Sequence, residues 1–147
     1  MAFTIVGGSG EAVDVAGREY VKTTTAATIP GDLLSETGAG LTRSTSSDTT
    51  AGATRFYAIA TSTQTAANTT VEAVKLTPGM LILANCTNDT ASNQVGRRRP
   101  VSDQALLNNS STDSNANTAP FEIVAVVGSA SDRKVLVKFL GSGQVTA

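Results

Sequence analysis

Three consecutive guanidiniums, Arg97-Arg98-Arg99, followed by Pro100, form the densest charge cluster in the chain. Such side chains bind phosphate or carboxylate oxygens through paired N–H donors, and Pro100 biases Arg99 toward extended backbone. The cluster has no aromatic neighbours on which a base can stack, and the chain carries a formal net charge of −1. Both facts favour an acidic protein surface over nucleic acid as the partner. The carboxylates are scattered. Asp32 and Glu36 share one predicted strand, while Glu11, Asp14 and Glu19 lie nearer the N-terminus. No motif pairs two of them as acid and base, so a glycosidase-like dyad depends on the fold joining distant residues. The chain also lacks Trp, the usual platform for a sugar ring.

Other chemistry is thinner still. There is no His, which excludes the usual His-activated Ser or Cys nucleophile. Cys86 is the sole cysteine, so neither an intrachain disulfide nor a cysteine zinc site can form, and the expected role is a small, partly buried side chain. Asp89, Asp103 and Asp113 miss the spacing of a calcium loop. Gly7-Gly-Ser-Gly10 follows a short strand, as a dinucleotide fingerprint would. However, Val13 stands where the third small residue belongs, and 12–17 alternate with period two instead of opening a helix. The expectation is no metal, no cofactor and no catalytic residue. Asn-X-Thr/Ser sequons at Asn68, Asn85, Asn88, Asn108 and Asn109 follow from a composition rich in these residues, and with no signal peptide expected they are not expected to be used.

The elements that must hold the arginines are short strands punctuated by turns. Pro30-Gly31 and Pro78-Gly79 read as type II turns, with φ preset at Pro and positive φ accepted at Gly. Residues 32–36 follow the first turn as a strand, Gly38 and Gly40 give the reversal, and Leu41 starts the return. Residues 18–24 alternate with Tyr20, Lys22 and Thr24 on one face. In 55–61, Phe56, Ala58 and Ala60 face one way, Tyr57 and Ile59 the other. Residues 70–76 resume the pattern, and the apolar run 80–84 predicts a strand covered on both faces. The strongest pattern is the hairpin of 120–127 and 134–140, joined by the six-residue loop 128–133. A short helix is expected within 101–109, with Ser102 as its N-cap.

These elements predict an all-β protein, a small β-barrel or β-sandwich, with two additions. One is an extended, flexible N-terminal arm at 1–17, whose apolar tip Phe3, Ile5 and Val6 would add as a strand to a neighbouring sheet edge. The other is a polar insertion at 85–119 within the single domain 18–147. The predicted core is Leu33, Leu34, Phe56, Ile59, Val74, Leu81, Leu83, Ile123, Val124, Val126, Val135, Val137 and Phe139. With 147 residues, one domain buries roughly two thirds of its unfolded surface. Hydrophobic residues make up 40 % and aromatics 4 %, so the core is aliphatic, and Ser plus Thr supply about a quarter of the chain. Charged residues are only 16 %, which leaves a surface suited to packing among neighbours. No apolar window reaches membrane-spanning length, so the expectation is a soluble protein made in a reducing cytoplasm and independent of membranes.

Thr28-Ile-Pro-Gly-Asp-Leu-Leu34, then Gly40-Leu41-Thr42, then Phe56-Tyr-Ala-Ile-Ala60 and the terminal 121–140 hairpin occur in an order that resembles the small capsid decoration, or cement, proteins of tailed bacteriophages. The resemblance covers 18–84 and 120–140; the 85–119 segment with its three arginines departs from it. It implies a compact, tulip-like β domain on the outside of the head shell, often trimeric, bound to the major capsid protein across coat-protein junctions. There it would resist the outward pressure of packaged DNA. Partner-binding residues are then expected at Phe3, Ile5, Val6, Arg97, Arg98 and Arg99. The alternatives are a phage tail, head-fibre or adhesin-like module that binds host glycans and, last, a carboxylate enzyme.

Overall fold

The structure, a computed structural model, describes residues 2–7, 20–23, 27–36, 40–46, 56–65, 70–110 and 119–141. The strands in chain order are β1 Phe3–Gly7, β2 Tyr20–Thr23, β3 Leu33–Glu36, β4 Leu41–Arg43, β5 Phe56–Ala60, β6 Thr70–Lys75, β7 Leu81–Asn85, β8 Arg98–Arg99, β9 Phe121–Val127 and β10 Lys134–Phe139. Two short 3₁₀ turns, Ser92–Gln94 and Ala130–Asp132, are the helical geometry among the described residues. The protein is all-β, as its turn-bounded alternating runs predict. Sheet I has the order β1-β7-β10-β9-β8 and sheet II the order β2-β6-β5-β3-β4, with antiparallel neighbours throughout.

Both sheets contribute to one core. Leu33, Tyr57, Ile59, Val74 and Leu76 from the sheet II side meet Phe3, Ile82, Ala84, Phe121, Ile123, Val135, Val137 and Phe139 from sheet I. Tyr57 meets Phe139 edge-on across the interface at 6.1 Å, and Phe121 sits 5.6 Å from Phe139. Each Pro-Gly turn feeds one of these layers. Gly31 and Gly79 both have φ 93°, and both turns close by an i to i+3 bond: Asp32 N–H to Ile29 O, and Met80 N–H to Thr77 O. The 128–133 connection joins β9 to β10 with the boundaries that the sequence predicts.

Sheet II buries residues on both faces. Side chains alternate along a strand, so Leu33 enters the shared core while Leu34 points the other way. There it joins Leu41, Ala58, Ala60, Val71 and Ala73, all buried. In β5 the expected split therefore holds for Tyr57 and Ile59 against Ala58 and Ala60. The side chains of Phe56 and of Tyr20–Thr23 lie outside the described residues.

Four expectations need correction. Phe3–Gly7 is not a free arm: it pairs with β7, with Phe3 opposite Ala84 and Ile5 opposite Ile82. The Phe3 ring is fully buried and stacks on Phe121 at 6.1 Å, and its N–H donates to Gly31 O at 3.0 Å. Strand addition occurs, but to the chain's own sheet, because burying this ring outweighs leaving it in water. Residues 8–17 of the expected arm lie outside the described residues.

The second correction is parity in β7. Ile82 and Ala84 are the buried residues and Leu81 and Leu83 are half-buried, because sheet I presents one face to the core. The third lies in β9. Ile123 pairs with Val137 and Ala125 with Leu136, so Val124 is an extra, bulged residue and is 40 % exposed. Val126 returns toward the core side but is only half-buried.

The fourth concerns 85–119. Its described part contributes Cys86, Val101 and Leu107 to the core, so it is no detached insertion. Val101 and Leu107 form bridges instead of a helix. Asp103 Oδ1 accepts the Ala105 N–H at 2.8 Å, and the Ser102 N–H donates to Leu106 O at 2.9 Å, which closes a tight loop where a helix would begin. Asn109, 1 % exposed, pins this loop to its neighbour. Its amide donates to the carbonyls of Asn88 and Asp89, and its Oδ1 accepts the Asn88 N–H. Residues 111–118 lie outside the described residues.

Candidate functional site

The arginine cluster lies on the outermost strand of sheet I. Gly96, at φ 83°, turns the chain onto β9, where its N–H donates to Ile123 O at 2.8 Å. The Ile123 N–H then donates to Arg97 O at 3.0 Å, and Arg98 and Arg99 pair with Glu122 and Phe121. This extended run divides the three guanidiniums by strand alternation. Arg98 takes the outer face, in the row with Glu122 and Lys138, which form an ion pair at 3.4 Å. Arg97 and Arg99 share the other face, that of Ile123 and Phe121. Arg97 is exposed at the rim, whereas Arg99 is only 9 % exposed.

Arg99 is an unusual group in a core margin. Its Nη1 donates to Arg98 O at 3.2 Å, and its Nε is buried with no acceptor. Burial, reinforced by the like charge of Arg97, pulls its pKa below the ordinary arginine value. The neighbouring Cys86 thiol is pushed up to about 11, first by its own burial and against the pull of Arg99. Cys86 is therefore a neutral packing group at neutral pH, as its lone occurrence suggested. Val95 and Val124, 45 % and 40 % exposed, stand next in the chain to Gly96 and Ile123, the residues that join this run to β9.

The other predicted contact residues are elsewhere. β1 occupies the opposite edge of sheet I, with β7, β10 and β9 between it and β8. Phe3 is inside the core, Ile5 packs partly against it, and Val6 is exposed. The six residues therefore do not form one site. Of the two groups, only the arginines combine charge with exposed aliphatic neighbours.

A second feature was not visible in the sequence. A cleft of about 360 Å³ is lined by Thr28, Ile29, Asp32, Arg43, Gln64 and Gln104 among others. A neighbouring groove of about 410 Å³ shares Arg43 and Gln104 and adds Ser44, Ser102 and Asp103. The Thr28–Gln64 bridge and the Leu33 N–H to Gln104 O bond, 2.9 Å, fix its walls. Asp32 is buried, and its Oδ2 accepts the Ile29 N–H at 3.0 Å. Desolvation raises its pKa, against the Ile29 bond and the Arg43 charge, with Asp103 adding to the rise. Asp32 and Asp103 thus interact across 71 positions of sequence, a meeting that no spacing rule reveals. Among the described residues no cluster of His, Cys, Asp or Glu could hold a metal, and no helix is long and apolar enough to cross a membrane.

Comparison of the chain with protein-family models, with curated proteins and with solved structures finds no match.

Proposed function

We propose that this chain is a structural virion protein. It binds the outside of a phage head shell at coat-protein junctions and stabilises the shell, as a homotrimer. The observation that carries the reading is the β8 edge of sheet I, where Arg97 and Arg98 stand beside exposed Val95 and Val124. Cations set among exposed aliphatic side chains suit an acidic protein surface: the valines supply area to bury and the arginines supply orientation. The order of turn and strand signals supports the same assignment through its likeness to decoration proteins. The protein acts without catalysis or cofactor, on coat protein and sister subunits and not on nucleic acid or membrane.

One observation favours a second reading, a glycan-binding module on a tail or head fibre. The cleft around Asp32, Arg43, Gln64 and Gln104 offers carboxylate, guanidinium and amide groups in fixed positions, the kind of lining that holds a polyol. Copy number in purified particles separates the two. Many copies per head and added density over the shell support the decoration reading. A handful of copies, located at the tail, overturns it in favour of the second.

A further inference from the structure

We propose that Arg99 is the hook of a carboxylate-binding site at the β8 edge, filled by an aspartate or glutamate side chain of the partner protein, with Arg97 as second donor at its mouth. The inference rests on the reading of this edge as a protein-binding surface and narrows it to one residue.

An arginine residue with only 9 % of its surface exposed and its Nε buried normally has a carboxylate beside it, because drawing the charge toward the core is costly without one. Arg99 has none among the described residues. Its bond to Arg98 O uses one of five N–H donors, and Nε has no acceptor. The nearest carboxylate along the sheet, Glu122, lies on the other face and is engaged by Lys138. The neighbours on its own face make matters worse, since Arg97 adds like charge and the Cys86 thiol stays neutral. For packing alone, Met would fill the position at less cost. An anion docking from outside would be held by the guanidinium fork and would relieve the repulsion between the two arginines.

The surroundings select the source of that anion. The described aromatic rings Phe3, Tyr57, Phe121 and Phe139 are all in the core, so among the described residues none at this edge offers a base a ring to stack on. Val95, next to Gly96, and Val124, next to Ile123 on β9, add exposed aliphatic surface along the same edge instead, which a protein partner can cover. Arg98 contributes differently, as outer-face charge next to the Glu122–Lys138 pair.

The test uses the full chain, with sodium succinate as probe against sodium chloride at matched ionic strength. The parent should gain thermal stability in succinate, and the Nε–H resonance of Arg99 should shift as succinate is added. Arg99→Met should be at least as stable as the parent in chloride and should not respond to succinate. Arg99→Lys, which keeps charge but loses the fork, should respond only weakly. An unmoved Nε–H resonance in the parent, or an undiminished succinate response in Arg99→Met, overturns the site. So does a loss of stability in Arg99→Met in chloride, since Arg99 would then be a structural donor. A stronger response to inorganic phosphate than to succinate overturns the carboxylate assignment. Head shells lacking the protein supply the last arm, with Arg99→Met expected to bind about 10- to 100-fold more weakly than the parent. If both bind equally well, the site fails while the capsid reading stands. If succinate binds but the parent ignores shells, the site stands and the capsid reading fails.

Discussion

The two sheets use similar residues to different ends. Sheet II buries small and aliphatic side chains on both faces: Leu33 and Ile59 against sheet I, Leu34, Ala58 and Ala60 on the other side. In sheet I, β10 alternates strictly, with Val135, Val137 and Phe139 buried while Leu136 and Lys138 between them are only half-buried. Its outer side and its last strand carry exposed Val6, Val124, Val127 and Arg97, with Arg98 half-buried. A strand covered on both faces has little side-chain surface left for a partner; one covered on a single face keeps it. The difference marks sheet II as scaffold and leaves on sheet I the side chains that the proposed contact needs.

Truncation of the aromatics where the sheets meet tests this division most severely. Phe121→Ala and Phe139→Ala should each cost about 3–5 kcal/mol of unfolding free energy. Phe3→Ala should fall in the same range, because β1 belongs to the core and is not an arm. Val124→Ala, on the same strand as Phe121, should stay within about 0.5 kcal/mol. Denaturant titration measures all four, and a negligible cost at Phe3 would restore the detachable arm.

Overpacking probes the second face of sheet II. Ala60→Leu should cost about 1–3 kcal/mol if that face is as closely packed as its burial indicates. Val127→Leu on sheet I should be near neutral. Equal effects would erase the contrast between the sheets.

The Pro-Gly turns should behave alike, since both glycines have φ 93°. Gly31→Ala and Gly79→Ala should each cost about 1–2 kcal/mol through the left-handed backbone alone. A neutral result in thermal unfolding at either position would contradict the turn geometry.

The smallest effect is one of pH. Asp32 has a folded pKa above its ordinary 3.8, mainly through desolvation. The folded state therefore holds this proton more tightly than the unfolded chain. The associated stability is fully present below the unfolded value and is lost as pH rises through the folded one. Asp32→Asn keeps an oxygen for the Ile29 N–H and removes the titration. The parent should lose stability relative to Asp32→Asn between pH 3 and pH 7, the window running upward from 3.8. A constant difference in unfolding free energy would contradict the shift.

Much of the scaffold is legible because local chemistry and global position agree. Pro30-Gly31 and Pro78-Gly79 can hardly form anything but turns, and the alternation of 134–139 has one parity. The run 80–84 is different: every residue is apolar, so its own sequence cannot say which ones face inward. Pairing with Ile5 and Val137 decides that Ile82 does. Val124 is lost from the core to a bulge, a register event set by the partner strand. Residues 85–119 read as a polar insertion because periodicity detects apolar faces. What holds the described part of that segment is the buried amide of Asn109, which binds carbonyls about 20 positions away.

The division of the arginines was within reach. Pro100 makes the backbone before it extended, and extended backbone puts Arg97 and Arg99 on one face and Arg98 on the other. What the sequence lacked was the burial of Arg99, which depends on Phe121 being its neighbour. The Asp32–Arg43–Asp103 grouping needed the tertiary fold altogether.

The measurement that tests the central claim most directly is a binding titration on head shells lacking this protein, at low and at high salt. It compares the parent with a variant carrying Arg97→Ala, Arg98→Ala and Arg99→Ala together. The parent should bind, and the triple variant should bind more weakly, with the gap narrowing at high salt as screening removes part of the attraction. A triple variant that binds like the parent at both salt concentrations would contradict the assignment of the β8 edge as the contact surface.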